Sequence, residues 1–133
     1  MSVIAHNIDQ VFSWSKLSNK DKNTIKPYLL NSSTIIIPIK KNIVHKNIMG
    51  KNETTLGIRI PHHDFCKKLS KEYMLPITTT SVNLTGTPPV NNPKKIYLHY
   101  KNKVDLFIDN GTLPNSSGSK IYEIEKSTII NIR

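Results

Sequence analysis

A single cysteine, Cys66, in 133 residues excludes an internal disulfide and any multi-cysteine metal cluster within the chain. No apolar run approaches the roughly 20 residues of a membrane-spanning helix. Residues Met1 to Asn7 lack the basic flank and long apolar centre of a signal peptide, so the expected compartment is the cytoplasm. Acidic residues are scarce, 9 against 19 basic ones, which gives a formal net charge of +10. Such a chain attracts polyanions, whether nucleotide, RNA or an acidic surface. Arginine is scarce too. Arg59 and Arg133 are the two in the sequence, and the remaining positive charge is lysine. That balance favours diffuse attraction over base-specific readout, and the abundance of Lys, Asn and Ile fits a biased genome equally well. Neither a GxGxxG fingerprint nor a Walker-type glycine loop occurs, which removes the common nucleotide motifs.

What is present reads as one soluble domain over residues 1–133, with 37% hydrophobic and 21% charged residues. Asn7 is placed to cap a short helix in which Ile8, Val11 and Phe12 share a face, with Trp14 near its end. Ser18 to Asp21 carries a second capping signal, for a short helix with Ile25 and Leu29 four apart and its regularity limited by Pro27. Ser33 to Ile39 is a continuous β-branched run, with Pro38 suited to a strand end. Lys40 to Asn52 reads as a mobile, lysine-rich loop. Thr54 to Pro61 is a strand with Leu56, Ile58 and Ile60 on one face and Thr55, Gly57 and Arg59 on the other. A helix follows over Asp64 to Tyr73, with Phe65, Leu69 and Tyr73 stacked as its apolar stripe. Ile77 to Thr80 is a third strand. Asn92-Pro93 launches a helix through Ile96 and Tyr100. Val104 to Gly111 reads as a strand closing in a turn, Leu113 to Ser119 as a flexible loop, and the chain ends in two strands that can pair as a hairpin through Glu125 to Ser127. The fold class is α/β or α+β, built on a mixed sheet.

His62, His63, Asp64 and Cys66 lie close in sequence, but adjacent side chains diverge on a strand or helix, so no metal site is expected there. Nothing marks Cys66 as an activated nucleophile. Arg59 has two readings: a cation snorkelling from an edge strand, or a fork aimed at a carboxylate or phosphate, with Thr55 lining the same cleft. The stretch Ile77 to Gly86, ITTTSVNLTG, also has two. Its hydroxyls and amide can satisfy their own backbone in a turn, or they can hold an anion at the carboxyl end of a strand.

The ordered segments TTLGIRIPHHDFCKKL, LPITTTSVNLTGTPP and VDLFIDNG resemble the threonylcarbamoyl-AMP synthase family, whose core is the YrdC-like domain. Thr55, Arg59, Pro61 and His63 match its first element. Thr80 to Gly86 matches its Thr-Ser-Ala-Asn-x-Ser-Gly loop with Val for Ala and Thr for Ser, and Asp109-Asn110-Gly111 matches its Asp-Gly-Gly turn. The resemblance implies a YrdC-like twisted mixed sheet flanked by short helices. It implies that L-threonine, bicarbonate and ATP combine to threonylcarbamoyl-AMP and pyrophosphate, with Mg²⁺ accompanying the nucleotide, for modification of an adenosine in tRNA. By position, Thr55, Ser81 and Asn83 would contact ATP, while Arg59 and Thr79 would hold L-threonine. Ser119 opens a terminal segment that matches in part, with Lys120 in place of a threonine, and would adjoin the nucleotide. The family's N-terminal strand-helix unit, with its Lys-x-Arg motif, has no counterpart here, so the domain is expected to be N-terminally shortened. Two further readings follow from that expectation: a non-catalytic module binding nucleotide, tRNA or double-stranded RNA, and a subunit completed by a partner chain or by a second copy. No membrane partner is expected.

Overall fold

The β-branched runs become the central strands of a sheet, and the segments capped by Asn7 and Ser18 become helices packed on one of its faces. The computed structural model describes residues 1–83, 86–114 and 118–133. They form two compact units, Met1–Thr80 with Ser119–Arg133, and Ser81–Gly118. The first unit contains β1 (Ser2–Ile4), α1 (Ile8–Trp14), α2 (Asn19–Leu30), β2 (Thr34–Pro38), β3 (Thr55–Arg59), α3 (Asp64–Tyr73) and β4 (Ile77–Thr79). The second contains α4 (Pro93–Tyr100), after which the chain returns to the first as β5 (Ile121–Glu125) and β6 (Thr128–Asn131). The strands form one mixed sheet in the order β4-β1-β3-β2-β5-β6. β1 runs parallel to β3, β2 runs parallel to β5, and the other neighbours are antiparallel.

Register and two-residue alternation place Val3, Ile35, Ile37, Leu56, Ile58 and Ile124 on one face of this sheet. All six belong to the buried core, together with Val11 and Trp14 of α1 and Ile25 and Leu29 of α2. Each fully buried Leu or Ile contributes about 1.5–3 kcal/mol. The caps hold as the sequence implies: the side chain of Asn7 accepts from Gln10 N at 2.9 Å, and that of Ser18 accepts from Asp21 N at 3.1 Å. Pro27 sits inside α2, yet the helix continues to Leu30. Proline in a helix interior costs roughly 3 kcal/mol. Burial of Ile25 and Leu29 on either side, both 0% exposed, offsets that cost.

Several expectations are corrected. Ser2 to Ile4, not read as a strand, is β1 and lies between β4 and β3, where three residues suffice because both edges are paired. Residues 40–52 are not a free loop. They carry a 3₁₀ turn at Lys46–Ile48, and Ile43, Val44, Ile48 and Met49 are half-buried against the core. Helix α3 has the bounds expected, but its apolar stripe is not a core face: Phe65, Leu69 and Tyr73 are all exposed, and the buried residue is Ser70. Residues 104–111 form no strand. Among the described residues no strand pairs with them, so Leu106 and Ile108 stay exposed, while Phe107 packs edge-on against Tyr97 of α4 at 5.6 Å. The turn itself does form, with the Asp109 carboxylate accepting from Gly111 N at 2.8 Å and Gly111 at φ +76°. Leu84 and Thr85 of the candidate loop, and Asn115, Ser116 and Ser117 of the loop expected over Leu113 to Ser119, lie outside the described residues.

Candidate functional site

The sheet face opposite α1 and α2 is polar at its centre. Thr79, Ser2 and Gly57 are successive partners across β4, β1 and β3, and the row continues through Ile36 of β2 to Glu123 of β5. Along β3, Thr55 and Arg59 flank Gly57 on this same face. Gly57 is the low point of the row. Gly57 is itself buried, and a Cβ built there would meet the Ser2 Cβ and the Thr34 Cγ2, each at 3.4 Å, so the glycine forms a floor between those two side chains.

Two polar atoms on this face are buried without a hydrogen-bond partner, the Thr55 Oγ1 and the Arg59 Nε. Leaving a buried donor or acceptor unpaired costs about 1–3 kcal/mol. Arg59 is otherwise firmly placed: its carbonyl oxygen accepts from Ala5 N at 3.0 Å, and the side chain is half-buried. A pre-positioned cation with an unanswered donor is what a carboxylate or phosphate ligand would complete. This favours the fork reading over a snorkelling edge residue, since β3 lies inside the sheet between β1 and β2.

Hydroxyl pairs border the floor on both sides. The Ser2 and Thr79 hydroxyl oxygens lie 3.1 Å apart, and those of Thr34 and Ser119 lie 2.9 Å apart. Ser119 is therefore tied to the sheet next to Gly57, and the Arg133 guanidinium donates to its carbonyl oxygen at 3.2 Å. Toward the β5 end, Lys51 bridges two carboxylates. Its ammonium reaches Glu123 Oε1 at 2.9 Å and also donates to Glu125. Those hydrogen bonds, first from Glu125 and then from Glu123, raise the pKa of Lys51, and Lys51 in turn lowers that of Glu125.

The family model described as Sua5_yciO_yrdC, telomere recombination, matches residues 1–133. The chain belongs to the Sua5/YciO/YrdC family. A relative from Methanocaldococcus jannaschii, provisionally named a threonylcarbamoyl-AMP synthase, is 31% identical over 133 residues, 100% of this chain and 61% of that protein. The crystal structure of E. coli YciO superposes with a TM-score of 0.87 at 20% identity, covering 99% of this chain and 64% of YciO. The crystal structure of P. abyssi Sua5 complexed with L-threonine gives 0.82 at 19% identity, over 99% of this chain and 39% of that one. The six-stranded mixed sheet with its short helices is thus the YciO and Sua5 fold, and the chain spans about three-fifths of the archaeal relative's length.

Within this family member, the candidate residues read from sequence divide by unit. Thr55, Arg59, Thr79 and Ser119 all belong to the first, on or beside the open face. Ser81 and Asn83 belong to the second. There the Ser81 hydroxyl bonds the Asn83 side-chain oxygen, Asn83 N donates to Ser81 O at 3.1 Å, and Asn83 Nδ2 donates to Thr87 O at 2.9 Å. The loop thus satisfies much of its own polarity, as turn chemistry requires. Sequence reasoning missed Ser2, Thr34, Lys51 and Glu123. Ser2 and Thr34 head apolar β-runs, and their parity was the available signal, usable only once the strand pairing is known. Among the described residues no group of three His, Cys, Asp or Glu side chains could share a metal ion. With Glu123 and Glu125 both engaged by Lys51, a protein-built cage for Mg²⁺ does not fit this face.

Proposed function

We propose that this chain carries the substrate-binding face of a threonylcarbamoyl-AMP synthase, acting on L-threonine, bicarbonate and ATP. The observation that carries the reading is the Arg59 Nε, buried without a partner beside the Gly57 floor. Arg59 takes the carboxylate of L-threonine, and Thr79 lines the same pocket. Thr55, with its unpartnered Oγ1, and Ser119 contact the nucleotide, and Ser81 and Asn83 of the second unit are assigned to it by the family resemblance alone. The amine of L-threonine takes up the carbon of bicarbonate to give a carbamate with loss of water. A carbamate oxygen then displaces pyrophosphate from the α-phosphorus of ATP. No side chain need become covalently bound, so the protein contributes orientation and charge stabilisation. Mg²⁺ enters on the triphosphate rather than in a protein cage. The product serves modification of an adenosine in tRNA, a polyanion suited to a chain of net charge +10. No described helix is long and apolar enough to cross a membrane, and we place the reaction in the cytoplasm.

The test is release of pyrophosphate that depends jointly on ATP, L-threonine and bicarbonate. Arg59→Ala should abolish it. A second reading, a nucleotide- or RNA-binding module without catalysis, is favoured by the +10 charge. Binding of ATP or tRNA with no pyrophosphate released under any combination of substrates would select that reading.

A further inference from the structure

A hydroxyl has one proton to donate. Thr79 Oγ1 donates to the carbonyl oxygen of Ser2 at 3.3 Å. With the Thr79 proton on that carbonyl, Ser2 is the donor in the 3.1 Å contact between the two hydroxyls. Both protons are used inside the sheet, and the lone pairs that remain on the pair can only accept. We propose that Ser2 is a ligand-positioning residue of the amino-acid site, a role that rests on the reading given above. Ser2 holds the Thr79 hydroxyl in an acceptor orientation, and together they take a hydrogen-bond donor of the bound amino acid while Arg59 takes its carboxylate.

Register supports the placement. Ser2 pairs with Gly57 and Ile4 pairs with Arg59, so Ser2 and Arg59 are one same-face step apart on adjacent parallel strands. Strand geometry puts their Cα atoms about 8 Å apart. A long cation and a short hydroxyl across that gap, with no side chain on Gly57 between them, suit a small zwitterion. Ser2 is half-buried at the start of β1, away from the apolar face, so its side chain is not part of the core.

The experiment titrates the full chain, and its Ser2→Ala and Ser2→Thr variants, with three ligands. These are L-threonine, L-valine (no hydroxyl) and 3-hydroxybutyrate (no ammonium). Ser2→Ala should weaken L-threonine about tenfold, the net worth of one hydrogen bond, and Ser2→Thr should restore it. The loss should spare whichever analogue lacks the accepted donor: L-valine if the hydroxyl is taken, 3-hydroxybutyrate if the ammonium is. Equal loss for all three ligands would mean a structural role only and would overturn the assignment. Unchanged L-threonine affinity in Ser2→Ala would overturn it as well. Wild-type protein that binds no L-threonine would overturn the proposed function and this assignment together, which separates the two failures.

Discussion

Replacing Arg59 by methionine separates what the guanidinium does for folding from what it does for a ligand. In the unliganded protein the Arg59 Nε is buried and unpaired, a penalty of about 1–3 kcal/mol. Methionine has a similar length, packs readily into irregular space and carries no donor, so Arg59→Met removes the penalty while keeping most of the packing. It also removes one positive charge from a chain of net charge +10, which relieves self-repulsion. Stability in urea should therefore stay level or rise, by up to about 1 kcal/mol once lost stem packing is discounted. Ligand binding should move the other way. A hydrogen bond to a charged group is worth about 1.5–3 kcal/mol, so the dissociation constant for L-threonine should rise about 10- to 150-fold. Urea denaturation and calorimetric titration on the same preparations measure the two effects. A variant that loses more than about 2 kcal/mol of stability while keeping its affinity would refute the reasoning, because Arg59 would then be a structural residue whose Nε is satisfied in solution.

The β5–β6 turn gives a second prediction. Lys126 and Ser127 both have positive φ, 46° and 63°, in a two-residue hairpin that favours Asn over Lys. Lys126→Asn should stabilise the protein by about 0.5–1 kcal/mol, read as a shift in urea midpoint, while Ser127 is kept because its hydroxyl is the main cause of the lowered pKa of Asp21. A third concerns pH. Lys51 lowers the pKa of Glu125 below its usual 4.5, so the pair's contribution is fully present above pH 4.5 and is lost as pH falls through the depressed value. The raised pKa of Lys51 gives the opposite limb, with the contribution present below pH 10.5 and lost as pH rises through the raised value. Amide exchange around residues 50–55, compared between wild type and Lys51→Met, should converge at the acid end and differ at neutral pH. Equal protection at neutral pH would remove the bridge from the account.

Local rules were sufficient wherever burial and pattern agree. The caps at Asn7, Ser18 and Asn92, the strand at β2, the apolar parity of β3, the bounds of α3 and the terminal hairpin were all legible in the sequence. The failures share a cause, because they depend on what a segment meets. β1 has three residues, too few to show a period, and is defined by β3 and β4 on either side. Residues 104–111 alternate as a strand does, yet among the described residues no strand pairs with them, and the aromatic of opposite parity, Phe107, is the one that packs on Tyr97. The stripe on α3 has helical spacing without a covering surface among the described residues of its own unit. Amphipathic spacing establishes the helix, but it does not establish that the apolar side is buried.

For the proposed site, the sequence singled out Thr55, Arg59 and Thr79 but not the sheet face they share. The polarity of that surface is not a shortage of apolar residues. On the covered face Val3, Ile35, Ile37, Leu56 and Ile58 fill the positions between β1, β2 and β3, all at or below 1% exposure. At the alternate positions of the same strands stand Ser2, Thr34, Thr55, Gly57 and Arg59, with Ile4, Ile36 and Pro38 among them. A sheet face that needed only cover would do better with the β-branched residues the chain uses freely one position away. Hydroxyls, an arginine and a glycine at those positions leave polar atoms unpaired and an apolar contact unmade. A small, charged, hydrogen-bonding ligand would recover both costs, and another layer of core would recover neither.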